Sequence, residues 1–186
     1  MSPAAFDPIR MSEISSGFEP IANTDARVLI LGSLPSQQSL RKREYYGNPQ
    51  NAFWQVMGEL FDAGPDIPYL RRTKKLSRHG IAVWDVLQSS VRPGSMDAAI
   101  DLTTAIPNDF QAFFEEHPML ELLCFNGKKA AELYRRLVVP QGISTIDKIE
   151  FRTMPSTSPA YASMNLDEKI RRWSAVRRPG GSDRSS

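Results

Sequence analysis

Four short apolar runs recur along the chain. They are "RVLILG" (27–32), "GIAVWD" (80–85), "LELLCFNG" (120–127) and "KIEFRTMP" (148–155), and each ends in or beside a turn-forming residue. Short apolar runs bounded by turn residues are typical of strands that are buried on both faces, as in a parallel sheet. The pattern therefore predicts four parallel strands.

Segments with helical spacing lie between and after these runs. In "NAFWQVMGELFDAG", Phe53, Val56, Met57, Leu60 and Phe61 fall on one face of a helix. Similar spacing recurs in "YLRRTKKLSRHG", "PNDFQAFFEEH", "KKAAELYRRLV" and "NLDEKIRRWSAV". Because parallel strands need crossover connections, this alternation predicts an α/β fold with helices on both faces of the sheet.

The length of the chain and its two ends suggest a single domain. A chain of 186 residues can bury one substantial core. Residues 1–24 show no strong periodicity, and residues 178–186 are rich in Pro, Gly, Ser and charge. We expect one domain over residues 25–177 between a mobile N-terminal segment and a disordered basic, Ser-rich tail.

Composition excludes several classes of protein. The single cysteine, Cys124, lies in an apolar run, and the two histidines are far apart, so the usual ligands of zinc or an iron–sulfur cluster are lacking. We expect a buried thiol on a strand, and no metal or cofactor. No apolar run reaches the roughly 20 residues that cross a bilayer, and no signal peptide is evident, so a cytoplasmic protein is expected.

Polar, small and turn-forming residues follow each predicted strand. These loops are "GSLPSQQS" (32–39), "DVLQSSVRPGS" (85–95), "NGKKA" (126–130) and "PSTSPAYAS" (155–163). Ligands of open parallel sheets bind at the carboxyl ends of the strands, where these loops lie. The spaced Gly-Lys-Ser/Thr of a nucleotide-binding phosphate loop is absent from the first loop.

Individual residues in these loops have more than one interpretation. Tyr46 precedes a helix and could stack on a planar ligand, whereas Phe53 is better explained as core. Asn51 could bind a ligand or cap the helix, and Asp85 could recognise a ligand or simply be a turn or cap residue. "NGKKA" lacks the preceding Gly and following hydroxyl of a phosphate loop and is better explained as a strand-to-helix turn.

Two basic clusters raise the same kind of question. One contains Arg71, Arg72, Lys74, Lys75 and Arg78, and the other contains Lys169, Arg171, Arg172, Arg177 and Arg178. Such clusters are usually solvated faces, but together with Ser-rich loops they make a phosphate backbone a plausible partner. The net charge of +2 does not decide between the two.

Taken in order, several stretches resemble a known family. "GSLPS" and "YYGNPQNAFW", followed by "GIAVWDVL", "RPGSMDAAI", "FNGKKA" and "PSTSPA", resemble the uracil-DNA glycosylase superfamily over about residues 27–176. The resemblance is greatest to its hypoxanthine-DNA glycosylase family. It implies a three-layer α/β/α sandwich with a central four-stranded parallel sheet. It also implies that a base flipped out of DNA is cut off by water, without a metal or a covalent intermediate.

Two positions depart from the better-known members of that superfamily. Leu34 stands where several members have an Asp or Asn that positions the attacking water, and Met154 stands where many have His or Asn before Pro-Ser. A thioether has no proton to donate. The resemblance to the hypoxanthine family therefore places water positioning on Asn51, with Asn48 or Asp85 as alternatives, and stabilisation of the leaving base on the Ser33 and Leu34 amides.

The remaining roles also come from the resemblance. Tyr46 would stack on the extruded base, and Asp85 would accept the ring N–H of either hypoxanthine or uracil, so the choice between these bases stays open. Asn126 is also expected to bind the base. The residues expected to bind DNA are Ser36, Ser156, Thr157, Ser158, Pro159, Ala160 and Arg171.

The sequence thus predicts a monomeric, monofunctional DNA glycosylase acting on deaminated bases, which leaves an abasic site for base excision repair. A non-catalytic protein that binds damaged DNA on the same fold is the alternative, because Leu34 and Met154 lack the usual chemistry. A hydrolase of small nucleotides is a more distant possibility, and steep salt dependence of DNA binding would argue against it.

Overall fold

A computed structural model describes residues 14–143 and 147–177 of the chain. Its main sheet has four parallel strands in the order β3-β2-β6-β7. They are β2 (Val28–Gly32), β3 (Ile81–Asp85), β6 (Leu122–Asn126) and β7 (Glu150–Met154). The predicted α/β fold with a four-stranded parallel sheet is confirmed.

The centre of the main sheet is fully buried. Leu29, Ile30 and Leu31 on β2 and Cys124 on β6 have no exposed surface. Because both faces of β2 are covered, its apolar run is continuous rather than alternating. Burial also raises the pKa of the Cys124 thiol to about 12. The prediction of a buried thiol on a strand is confirmed.

Six α-helices occur in the described residues, and five of them match segments with predicted helical spacing. The helices are α1 (Gln37–Lys42), α2 (Phe53–Phe61), α3 (Tyr69–Arg78), α4 (Phe110–Glu116), α5 (Lys128–Leu137) and α6 (Leu166–Trp173). The predicted apolar face of α2 is buried. Helix α5 packs on β6 and β7, whereas α2 packs against α3 and α6. None of the described helices is long and apolar enough to cross a membrane.

A small antiparallel sheet was not predicted. Its strands are β1 (Ile14–Ser16), β4 (Leu87–Val91) and β5 (Ile106–Pro107), in the order β1-β4-β5. The sequence indicated only a loop after β3, because β4 contains polar residues between its apolar ends. Backbone pairing with distant short strands, which leaves little trace in a sequence, makes it a strand.

The first described residues pack against the domain. Strand β1 pairs with β4, and Ile21 forms a bridge with Val83 of β3. The structure thus anchors residues 14–24, where the sequence predicted mobility. Residues 1–13 and the predicted tail at 178–186 lie outside the described residues.

Candidate functional site

The carboxyl edge of the main sheet gathers four of the residues discussed above. Gly32 lies opposite Asp85 in the β2–β3 register, and Asn126 lies opposite Met154 in the β6–β7 register. Parallel strands align their carboxyl ends, so residues that are far apart in sequence meet at one edge.

Asp85 is the most unusual polar residue at this edge. It is 4% exposed, and its Oδ2 has no hydrogen-bond partner within the described part of the chain. Burial, reinforced by the charge of Asp97 and opposed by that of Arg92, raises the pKa of Asp85 to about 7. The carboxyl group is therefore poised between its neutral and charged forms near neutral pH.

Gly32 and Tyr46 lie directly beside this carboxyl group. A Cβ at position 32 would collide with Asp85 Oδ1 and would lie 3.2 Å from the Tyr46 hydroxyl oxygen. Only glycine leaves room for this approach. The glycine, the carboxyl group and the phenol hydroxyl thus meet at one point.

The Tyr46 ring is fixed from one side. It stacks on Phe53 with ring centroids 3.8 Å apart and planes inclined by 18°, and its backbone has a φ of 54°. Its buried hydroxyl lies near Asn126 without a hydrogen bond of ordinary geometry, and burial raises the pKa of Tyr46. Since Phe53 covers one face of the ring, only the second face can be offered to a planar ligand. By contrast, Tyr45 is a core residue, 3% exposed.

Asn51 lies in the turn that leads into α2. Its Oδ1 accepts a hydrogen bond from the Phe53 amide at 3.0 Å, and Asn48 Oδ1 similarly accepts from the Gln50 amide at 3.0 Å. The N-cap of α2 is Ala52, without a side-chain cap, so the helix-cap interpretation of Asn51 is wrong and its side chain instead closes an Asx-type turn just before the helix. A carbonyl oxygen has two lone pairs, so Oδ1 can still accept a proton from a bound water.

Asn126 and the loop after β7 hold each other in place. Asn126 Nδ2 donates to Thr157 Oγ1 at 2.8 Å, and the Thr157 amide donates to Asn126 Oδ1 at 2.9 Å. The Thr157 carbonyl accepts from the Ala52 amide at 2.9 Å, which ties the loop to the start of α2. Thr157 is fully buried, whereas Pro159 and Ala160 are exposed. The loop therefore projects its tip from a rigid base.

Helix α6 donates two further hydrogen bonds to the loop after β7. Trp173 Nε1 donates to the Pro155 carbonyl at 2.9 Å, and the Lys169 ammonium donates to the Tyr161 carbonyl at 3.1 Å. Arg171 is exposed on this helix and forms an ion pair with Glu168. Ser156 and Ser158 are half-buried at the base of the loop.

The loop after β2 has partners that the sequence did not reveal. Ser33 Oγ donates to Asp97 Oδ1 at 2.7 Å, Ser36 caps α1, and Leu34 is 6% exposed. Arg92 is buried behind this loop. Arg92 and Asp97 lie in "RPGSMDAAI", and a charged pair within a Pro-Gly turn was the one signal that could have drawn attention to them.

These groups converge at the carboxyl edge of the main sheet. They comprise an aromatic face, the backbone of the loop after β2, and a carboxyl oxygen and a phenol hydroxyl that lack hydrogen-bond partners among the described residues. Among the described residues, no cluster of three or more His, Cys, Asp or Glu side chains could hold a metal ion.

Comparison with protein families places the chain in a defined group. The model of the uracil DNA glycosylase superfamily matches residues 19–177. That range includes both sheets except β1, and every residue assigned to the site above.

Individual relatives cover most of the chain. A hypoxanthine DNA glycosylase of Methanosarcina acetivorans is 37% identical over 164 residues, which are 88% of this chain and 98% of the relative. One from Methanosarcina barkeri is 38% identical over 132 residues, 69% of this chain and 80% of the relative. A solution NMR structure of a proposed uracil DNA glycosylase from M. acetivorans superposes with a TM-score of 0.69 at 36% identity, covering 89% of this chain and 99% of that one.

Proposed function

Because the chain belongs to the uracil-DNA glycosylase superfamily, we propose that it is a monofunctional DNA glycosylase that removes a deaminated base flipped out of DNA. One observation carries the assignment of its binding site: the buried Asp85 Oδ2, which has no hydrogen-bond partner among residues 14–143 and 147–177, lies beside the Tyr46 hydroxyl at the carboxyl edge of the sheet. Unsatisfied buried polar atoms oppose folding, so their retention favours a ligand that pairs with them.

The proposed substrate is hypoxanthine or uracil. Hypoxanthine presents N1–H beside O6, and uracil presents N3–H beside O4, so the Asp85 carboxylate can accept the ring N–H of either base. The free face of Tyr46 would stack on the base. Hypoxanthine is the first substrate to test, because both Methanosarcina relatives are named for it.

The proposed reaction is hydrolysis at C1′ of the flipped nucleotide. The bond between C1′ and the base nitrogen breaks and its electron pair leaves with the base. A water held by Asn51 adds to C1′ and loses its proton to solvent, and the base anion takes up a proton from solvent. An amide is a poor base but can orient a water, which suits a dissociative, oxocarbenium-like transition state. The Ser33 and Leu34 amides would stabilise the departing base.

The loop after β7 and α6 would hold the DNA. Residues 156–160 would enter the minor groove and help fill the gap left by the flipped nucleotide, while Ser36 and Arg171 would contact phosphates. Since all of these groups belong to a single chain, we propose that the protein acts as a monomer. We also expect it to work in the cytoplasm, where a chain with one buried thiol needs no disulfide.

The deciding experiment incubates the protein with labelled oligonucleotides that contain deoxyinosine or deoxyuridine, followed by alkali to break abasic sites. We expect cleavage by the wild type, and a loss of about 100-fold in the single-turnover rate of Asn51→Ala with little loss of DNA affinity. Asn48→Ala, in the same turn, tests the alternative water-positioning residue and should keep the wild-type rate if Asn51 holds the water. If the paired, mismatched and single-stranded substrates all remained uncut after alkali, the proposal would be contradicted.

A non-catalytic damaged-DNA binder is the second candidate. It is favoured by Leu34 and Met154, which are both buried and cannot move a proton. This alternative predicts tight binding to lesion-bearing DNA with no product under the same conditions.

A further inference from the structure

The loop after β2 is held by an uninterrupted row of backbone acceptors. The carbonyls of Gly32 and Ser33 accept from the amides of Val86 and Leu87 at 2.9 and 3.1 Å. The next two carbonyls, of Leu34 and Pro35, accept from the guanidinium of Arg92, with the Leu34 bond at 3.2 Å. Four consecutive carbonyls are therefore fixed by one neighbouring segment.

This arrangement sets the direction of the loop's amides. In a trans peptide the C=O and N–H groups point in opposite directions. Because the Gly32 and Ser33 carbonyls point toward β4, the Ser33 and Leu34 amides point away from it. Under the proposed function, these two amides stabilise the departing base. Arg92 holds the next two peptide groups and so keeps the loop from turning.

Arg92 is an unusual choice for a structural brace. Its side chain has no exposed surface, and its Nε has no hydrogen-bond partner among the described residues. The nearest paired carboxylate oxygen, Asp97 Oδ1, is 3.9 Å from Nη1 and already accepts from the Ser33 hydroxyl. Burying a cation that is only loosely paired opposes folding, which points to a use for the charge itself.

The proposed reaction needs positive potential at this position. The base leaves with the electron pair of the broken bond, and Met154 replaces the side chain that would stabilise this negative charge in many members of the superfamily. The other buried cation of the described chain, Lys169, is committed to the Tyr161 carbonyl on the far loop.

We infer that Arg92 is a positioning residue of the base-binding loop whose positive charge favours departure of the base as an anion. This inference rests on the proposed function. It assigns to a buried arginine behind the loop the electrostatic role that Met154 cannot fill.

Arg177, which is exposed rather than buried, provides a control for the loss of guanidinium–carbonyl hydrogen bonds. Its guanidinium also holds two consecutive carbonyls, those of Glu59 and Leu60, with bonds between 2.7 and 3.0 Å. These carbonyls lie at the carboxyl end of α2, whereas the site lies at its amino end, about 10 Å away along the helix axis. Replacing Arg177 therefore removes a similar brace without touching the site.

The test compares single-turnover rates on two bases whose anions differ in stability. If the wild type cuts uracil, the pair is uracil and 5-fluorouracil; if it cuts hypoxanthine, the pair is hypoxanthine and 8-azahypoxanthine. The variants are Arg92→Gln, Arg92→Met, Arg92→Lys and Arg177→Gln, each checked for folding by circular dichroism. The quantity measured is the ratio of the rate on the better leaving base to that on the ordinary base.

We expect both neutral variants at position 92 to lose about 100-fold on the ordinary base and to raise the ratio about tenfold, because the better leaving base depends less on the charge. Arg92→Lys should keep the wild-type ratio, and Arg177→Gln should keep both the ratio and the rate. An unchanged ratio in whichever neutral variant folds would overturn the inference. Failure of the wild type to cut any base would instead refute the proposed function.

Discussion

Burial of the Asp85 carboxyl group opposes folding at neutral pH, because burial disfavours its charged form. Its neighbours at the edge of the sheet are a glycine and a buried phenol, and neither neutralises it. A side chain chosen for stability alone would be apolar or amide here. The residue is better explained by what it binds than by what it packs against.

The difference in stability between Asp85→Asn and the wild type should grow as pH rises. The native pKa of about 7 exceeds the ordinary 3.8, so wild-type stability falls as pH rises through this window and the ionised form accumulates. We expect Asp85→Asn to match the wild type near pH 3.5 and to be more stable by up to about 4 kcal/mol above pH 7. Urea unfolding across this range is the measurement. Asp66→Asn, at an exposed position, is the control, and a constant difference across the range would contradict the prediction.

Catalysis should follow the same ionisation. Only the carboxylate form of Asp85 accepts the ring N–H without donating, so we expect kcat/KM to rise with pH and level off above about 7. Asp85→Asn should lack this rise and should change which base is accepted more than whether DNA binds. A wild-type profile that falls through this range would show that the neutral acid is the active form.

At the scale of elements, the loop after β7 is better anchored than its composition suggests. Asn126, Ala52, Lys169 and Trp173 hold its backbone from four directions, while Pro159 and Ala160 stay exposed. A loop that must enter DNA loses less conformational entropy on binding when it is already fixed. The rigid base and exposed tip together fit the role proposed for this loop.

Thr157→Val should separate this anchoring from the chemistry. Valine keeps the shape and the backbone bonds of residue 157 but removes the oxygen that accepts from Asn126 Nδ2, which leaves a buried donor unpaired. We expect a loss of about 1–2 kcal/mol in stability and weaker lesion binding, with little change in the single-turnover rate at saturating protein. Denaturant unfolding and binding titrations measure the two effects. Thr104→Val is the control, because it removes an oxygen that accepts from the Val91 amide at 2.9 Å, away from the loop after β7. An unchanged DNA affinity in Thr157→Val would count against a preformed loop.

The elements also show where sequence-based prediction succeeds. The four parallel strands are continuous apolar runs because both faces of the sheet are covered, and α2 reveals its buried face by its spacing. Strand β4 was missed, since its pairing depends on segments that are not adjacent in sequence. The link from Arg92 to Leu34, across 58 residues, exists only once the chain has folded. The sequence identified Asp85 and Tyr46 as candidate site residues. It could not show that their buried oxygens lack hydrogen-bond partners among the described residues.

At the scale of the whole molecule, the binding of DNA should be dominated by phosphate contacts. Arg171 extends 69% of its side-chain surface into solvent beside the loop after β7, although Glu168 neutralises part of its charge. The net charge of +2 is too small to bind DNA without such local groups. Affinity should therefore depend steeply on salt.

Arg171→Gln should lower the slope of log affinity against log salt by somewhat less than about 1 and weaken binding to every sequence alike. Titrations of fluorescent duplex DNA between about 50 and 200 mM salt measure this slope. Arg135→Gln, in the last turn of α5 away from the site edge, should leave it unchanged. Salt-independent binding would favour the small-nucleotide hydrolase over a DNA enzyme.

The buried thiol of Cys124 gives the protein an internal reporter. It lies on a central strand with no exposed surface, and its raised pKa of about 12 suppresses the reactive thiolate. A thiol reagent can therefore modify it only when the sheet opens, so the rate of labelling reads the free energy of global opening in the native buffer. Lesion-containing DNA should slow this labelling in proportion to its occupancy, so that ligand binding could be followed without measuring any product.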